Sequence, residues 1–333
     1  MVLGKIIGIF VIVFIGFGAN RIGWLPIEAS KYLSKIVVNI AGPCVILSSI
    51  SEQRFTLDGL QVMGIICALY FGQYAFQQVV AMGSRRALRV ERSDRGVFSN
   101  FFLYTNNGFM GFPVTYAIFG TQGMFYMVII NVFMPFFMYT HGVANLRKDT
   151  ARSAGKADKA DKADKADKEM PAERRAGGGF RAGVKEILTV PVIASLVGLV
   201  IYFLKIPIHA QVKDLLDVVG AMMTPLSMIV IGLQLTESSP RRVMLNHRLV
   251  VMSLLRVLIM PLAFVGVGIL LRLPPLLFGV LTLNIMLPCA ALPVVLAEEY
   301  GANATLAAEG TFLSTLFSMA TIPVAALIFA NML

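Results

Sequence analysis

Ten apolar runs, each long enough to cross a bilayer, follow one another along this chain and constrain its fold more than any other feature. A spanning helix needs about 20 mostly apolar residues. Such runs lie at roughly 2–19, 32–50, 57–83, 97–118, 122–145, 186–204, 213–235, 249–271, 275–297 and 303–330. Of the 333 residues, 57% are hydrophobic and 14% charged, whereas a soluble domain carries about 25% charged residues. The expected fold class is an all-α integral membrane protein with ten transmembrane helices, and the lipid bilayer is its first partner.

The net charge of +10 does not point to nucleic acid, because its placement follows the loops. With the N-terminus outside, Arg21, Lys31 and Lys35, then Arg85, Arg86, Arg89, Arg92 and Arg95, fall inside. Twelve more basic residues between Arg147 and Lys185 join them, with Arg241, Arg242 and Arg248. Lys5, Arg54, Lys205, Lys213 and Arg272 face the other side. The positive-inside rule then predicts both termini outside and the central loop in the cytoplasm. The run after Lys5 lacks a basic leader and an A-x-A-like site, so it is expected to stay as the first helix. Cys44, Cys67 and Cys289 sit in apolar runs with no CxxC spacing, which reads as packing rather than metal binding or disulfides.

The chain divides into 1–146, a charged linker at 147–184, and 185–333. The linker contains KADKADKADKADK from Lys156 to Lys168 and then Gly177, Gly178 and Gly179. Its low hydrophobicity leaves nothing to pack, so it reads as a mobile cytoplasmic connection. The flanking halves repeat. KYLSKIVVNIAGP, ending at Pro43, matches KDLLDVVGAMMTP, ending at Pro225, and GFPVTYAIFG around Pro113 matches ALPVVLAEEY around Pro293. Five runs per half place the second half upside down, as two inverted five-helix repeats with helices 4 and 9 in equivalent positions.

Both of those helices are interrupted. Asn106, Asn107, Gly108 and Gly111 precede Pro113, and Asn284 and Pro288 precede Pro293. A proline lacks the amide hydrogen and crowds the carbonyl four residues back, so Pro113 is expected to open the helix just before itself. Paired interruptions in repeats point to the midplane site of a secondary transporter. The amide end of a half-helix suits a carboxylate, and Asn106 and Asn107 add donors without a buried charge. Either interruption alone could be a simple kink. Pro43 and Pro225 read as kinks in supporting helices, and Asn131 as a cavity-lining amide or a bond to a neighbouring helix. Arg256 is the one basic residue well inside a span and Glu309 the clearest acid near one, which makes both candidates for coupling. Arg256 lies about one turn into its run and is expected to snorkel to the headgroups. Signatures of enzymes are missing: no HExxH, GxSxG or phosphate-binding glycine loop occurs, and no cofactor or metal site is expected.

NNGFMGFPVTYAIFG, Asn106 to Gly120, and LPCAALPVVLAEEYG, Leu287 to Gly301, resemble the two crossover motifs of the auxin efflux carrier family, which includes plant auxin exporters and bacterial permeases for malate or malonate. The resemblance extends over nearly the whole chain outside the linker. It implies helices 4 and 9 crossing at the substrate site, helices 1, 2, 6 and 7 as a scaffold, and helices 3–5 and 8–10 as a moving transport domain. It further implies a homodimer, an elevator-like motion and the inner (plasma) membrane of a bacterium. Asn106 matches the family's substrate-contacting amide, Pro113 and Pro293 its crossover prolines, and the Cys44 region would face the site from the scaffold. Ala291 and Leu292 stand where some relatives carry an Asn. The function expected is transport of a small organic anion, a mono- or dicarboxylate. A sodium-coupled symporter of the bile acid type is the alternative, and a receptor or sensor using the same pocket, or a channel, would belong to other classes.

Overall fold

The computed structural model describes residues 2–154, 187–237 and 243–330, and every regular element among them is helical. The KAD run, Arg241 and Arg242 lie outside the described residues. In chain order the helices of the first half are α1 (Val2–Arg21), α2 (Ala29–Ile36), α3 (Gly42–Ser51), α4 (Leu57–Ala87), α5 (Arg95–Leu103), α6 (Phe112–Phe137) and α7 (Val143–Ala154). The second half has α8 (Val190–Leu204), α9 (Ala210–Gly220), α10 (Met223–Gln234), α11 (His247–Leu254), α12 (Met260–Leu270), α13 (Pro275–Met286), α14 (Leu292–Glu299) and α15 (Ala304–Ala330).

Six helical runs are long and apolar enough to cross a membrane: Ala29–Ser51, Leu57–Ala87, Asn107–Ser153, Ala210–Gln234, His247–Leu270 and Ala304–Phe329. Ile7–Arg21, Val190–Leu204 and Pro275–Met286 are shorter apolar helices. The outward faces carry large exposed apolar side chains such as Phe14, Leu204, Val218 and Leu270, which only a hydrocarbon solvent would favour. This is an integral membrane protein. The apolar run at 97–118 is not one helix, because α5 stops at Leu103, and the run at 275–297 stops at Met286 and restarts at Leu292.

Three wide π-helical turns explain how prolines are tolerated here. Val37–Ala41, Asn107–Gly111 and Leu255–Ile259 each end two residues before a proline, namely Pro43, Pro113 and Pro261. The carbonyl that each proline ring would crowd belongs to Asn39, Phe109 or Val257, inside the turn. Widening the turn carries that oxygen away from the ring, so the helix continues instead of breaking. Pro43 and Pro113 therefore follow bulges, and Pro225 is the third residue of α10 after a short turn at Ala221 and Met222. The real reversals are at glycines. Gly120 (φ 64°) divides α6 into two arms, 112–119 and 121–137, and Gly301 (φ 65°) separates α14 from α15. Both need the left-handed region that glycine enters at no steric cost.

Close backbone approach holds the helices together. A Cβ at Gly16 would lie 2.6 Å from the carbonyl oxygen of Ile229, and one at Gly232 would meet the Val13 carbonyl, so α1 and α10 touch along small residues. Gly220 gives α9 the same access to Val45 of α3. Ion pairing supports that contact: Lys213 Nζ lies 2.9 Å from Glu52, and Ser48 donates to Asp217. At the N-terminus of α5 the fully buried Asp149 of α7 accepts the backbone N–H groups of Gly96 and Val97, at 2.5 and 2.9 Å. The side chain of Asn100 donates to the Gly142 carbonyl at 2.9 Å, which fixes α5 further against the turn before α7.

Gly232→Val should destabilise the protein by about 1–3 kcal/mol, the usual overpacking cost. Gly18→Val on the same helix pair, where a Cβ meets open space, should leave the thermal midpoint nearly unchanged. Equal midpoints for the two variants in detergent would refute the close α1–α10 packing.

Candidate functional site

The two interruptions lie side by side. Tyr104 leaves α5 in an extended conformation, and Thr105 pairs antiparallel with Cys289. Asn106 N–H donates to the Pro288 carbonyl at 2.9 Å, and Ala290 N–H donates to the Tyr104 carbonyl at 3.1 Å. Peptide groups released from a helix inside a bilayer cost several kcal/mol each unless they find partners. Here each break supplies the other's partners. The remaining Cys289 N–H donates to Ser314 Oγ of α15 at 3.1 Å.

Arg256 answers the freed carbonyls. Its guanidinium donates to the Phe101 carbonyl and, at 3.3 Å each, to those of Tyr104 and Pro288. It is 0% exposed, and its charge centre lies 5.4 Å from the ring centroid of Phe101. The expectation that Arg256 snorkels to the headgroups is thus corrected. The wide turn Leu255–Ile259 carries it into the interior, where carbonyl oxygens rather than water solvate the charge. No carboxylate pairs with it among the described residues.

A chain of side-chain amides runs beside the paired breaks. Gln73 of α4 donates to Asn284 Oδ1 at 2.8 Å, and Asn284 Nδ2 donates to Asn107 Oδ1 at 2.9 Å. Thr105 Oγ1 donates to the same Asn107 oxygen at 2.8 Å. The chain has polarity: the NH2 of Asn107 at one end and the carbonyl oxygen of Gln73 at the other are buried without partners. Asn106 caps the following helix, its Oδ1 accepting the Phe109 N–H at 3.2 Å. The second half-helix therefore starts at Asn107 and not at Pro113, a correction whose cause is this cap together with the wide turn that absorbs the proline. In α14, by contrast, Pro293 is at the very start of the helix. The Cβ position of Gly111 lies 2.8 Å from Leu287 Cδ1, so the two segments meet side by side here. Gly108 has open space around its Cβ position.

The structure thus brings together Asn106, Asn107, Gly111, Asn284, Pro288 and Arg256. Pro113 lines a neighbouring cavity of about 300 Å³ with Phe112 and Tyr116, faced by Val45, Ser48 and Ser49 of α3. The α3 residues after Cys44, rather than Cys44 itself, provide that wall. Asn131 is buried in α6 but shares no hydrogen bond with the amide chain. Glu309 lies elsewhere, on a cavity of about 500 Å³ with Asp94, His247 and Arg248. Gln73, Thr105 and Ser314 escaped sequence reasoning. The available signal was Gln73 and Gln77, one turn apart in the middle of a membrane-spanning run.

An apolar exterior around helices that are broken and cross-paired inside defines a polytopic membrane protein of the transporter class. The chain matches the membrane transport protein family along residues 1–326 and belongs to that family, which is the auxin efflux carrier family. An uncharacterized transporter of Methanothermobacter thermautotrophicus is 24% identical over 318 residues, 96% of this chain and 95% of the relative. An uncharacterized transporter of Methanocaldococcus jannaschii is 22% identical over 325 residues, 94% of each chain.

A double-mutant cycle of Gln73→Ala with Asn284→Ala should give a stability coupling of about 0.6 kcal/mol and no more than ~1.7, the range for hydrogen bonds between membrane helices. Asn131→Ala with Asn284→Ala should be additive within about 0.5 kcal/mol. A cycle with no coupling between Gln73 and Asn284, measured by unfolding in mixed micelles, would remove the amide chain from the site.

Proposed function

We propose that this protein is a secondary transporter of a small organic anion, a mono- or dicarboxylate bound where the two broken helices meet. The observation that carries this reading is the buried, unpartnered NH2 of Asn107 beside the paired breaks. A buried donor without a partner costs about 1–3 kcal/mol, and a carboxylate oxygen that visits it would recover that cost. The sign of the surrounding field supports an anion. The carbonyl ends of α5 and α13 lead into the breaks and are answered by Arg256, while the helices starting at Asn107 and Leu292 turn amide ends toward the same region.

Two inverted five-helix repeats, 1–146 and 185–333 around a cytoplasmic linker, account for the matching reversals at Gly120 and Gly301 and the equivalent breaks. In this reading, α1–α3 and α8–α10 form a scaffold against which the remaining helices, the two broken ones among them, move in an elevator-like alternating access, in a homodimer with both termini outside. The 300 Å³ cavity on that boundary is walled by Ser48 and Ser49 and by the carboxylates of Glu52 and Asp217, both paired with Lys213. A univalent anion leaving a negative-inside cell gains about 2.3 kcal/mol per 100 mV, so export needs no coupling ion, whereas uptake would.

The test is charge movement in proteoliposomes challenged with malate, malonate, lactate and indole-acetate. One carboxylate is expected to give a saturable current. Asn107→Asp keeps the oxygen that Thr105 and Asn284 bond but replaces the free N–H donor. It should weaken apparent affinity about tenfold or more, as should Asn106→Ala, while Asn131→Ala should not. Equal currents from wild type and both crossover variants would move the site elsewhere.

A further inference from the structure

We infer that the guanidinium of Arg256 is a built-in cation, occupying the place among freed carbonyls that a bound metal cation would otherwise fill, so that this protein is stable and transports without sodium. Carbonyl oxygens released where helices break are the hard ligands that alkali and alkaline-earth ions select. Here the carbonyls of Phe101, Tyr104 and Pro288, from both breaks, converge on one side chain. The charge is fully buried and has no carboxylate partner among the described residues, so carbonyl dipoles and the Phe101 ring are what hold it. A planar fork reaches two chain segments at once, which a lysine ammonium on its flexible stem does less well. Held covalently, the charge cannot leave during a transport cycle, and the positive field at the breaks becomes a constant of the protein rather than a function of sodium concentration.

The proposal rests on the transport reading only for its flux consequence, and the experiment separates the two. Thermal unfolding of the purified full chain is measured in about 100 mM sodium chloride and in choline chloride of equal ionic strength. Wild-type midpoints should coincide. Arg256→Ala, which strips the side-chain donor from all three carbonyls and leaves those of Tyr104 and Pro288 with one backbone N–H each, should melt below wild type and gain several degrees from sodium or from methylguanidinium. Arg256→Met, which fills the space without a charge, should gain nothing from either. Arg256→Lys retains one charge and covers the case in which the alanine variant does not fold: its midpoint should lie below wild type and be indifferent to sodium. Sodium stabilisation of the wild type or of Arg256→Lys would overturn the proposal, as would an Arg256→Ala protein that melts like wild type. Wild-type anion current should be the same in sodium and in choline, and strict sodium dependence would overturn the proposal. An absence of current in both salts would count against anion transport while leaving the melting result to decide the role of Arg256.

Discussion

A bilayer offers a broken helix no water, and most of what is distinctive in this protein follows from that. Breaking α5 from the helix that starts at Asn107, and α13 from α14, releases N–H and C=O groups in the interior. Alone, either break would leave several kcal/mol of unsatisfied polarity. Set antiparallel, the two breaks satisfy each other through Asn106 with Pro288 and Ala290 with Tyr104, and the excess is taken by two side chains, Ser314 for an amide and Arg256 for carbonyls. The breaks are therefore interdependent: neither has a full set of partners without the other. A second interruption in the chain is a physical requirement of the first.

The same arrangement fixes the sign of the interior. A guanidinium at 0% exposure would be costly anywhere in a membrane. Three carbonyls make it tolerable, and in doing so they spend the negative ends of the half-helices on it. What lies beside the breaks is amide in character: the starts of two helices and the buried, unpartnered NH2 of Asn107. The amide chain from Gln73 through Asn284 adds direction, because each donor is committed to the next acceptor and only the last is open.

The sequence pointed to the paired breaks through its prolines, glycines and asparagines, whereas the turns at Gly120 and Gly301 emerge only from their positive φ. It misplaced the first break by several residues because proline was taken as the breaker. The wide turn at Asn107–Gly111 moves the Phe109 carbonyl clear of Pro113, and the helix end is set by the Asn106 cap instead. Arg256 was misjudged for a related reason. Its distance along the chain from the end of the run suggested a side chain within reach of the headgroups, but depth depends on the turn that carries it and on acceptors from α5 and the second break, which no local pattern contains. Gln73 shares that difficulty, since its partner Asn284 is 211 residues away.

Polar contacts are distributed unevenly over this molecule. Within one group, α5, α7, α13, α14 and α15 are fastened by the paired breaks, Arg256, Asp149 on Gly96 and Val97, and Thr150 on the Tyr300 carbonyl at 2.7 Å. Within the other, α3 and α9 are fastened by Lys213 with Glu52 and by Ser48 with Asp217. Between α3 and the first arm of α6, by contrast, the 300 Å³ cavity opens, and among the described residues neither hydrogen bond nor ion pair joins α3 or α9 to α6. Dispersion contacts tolerate sliding because each is worth only about 0.1–0.2 kcal/mol and is readily exchanged for another. The crossover, stapled from both chain halves by one arginine, is then the part least able to deform.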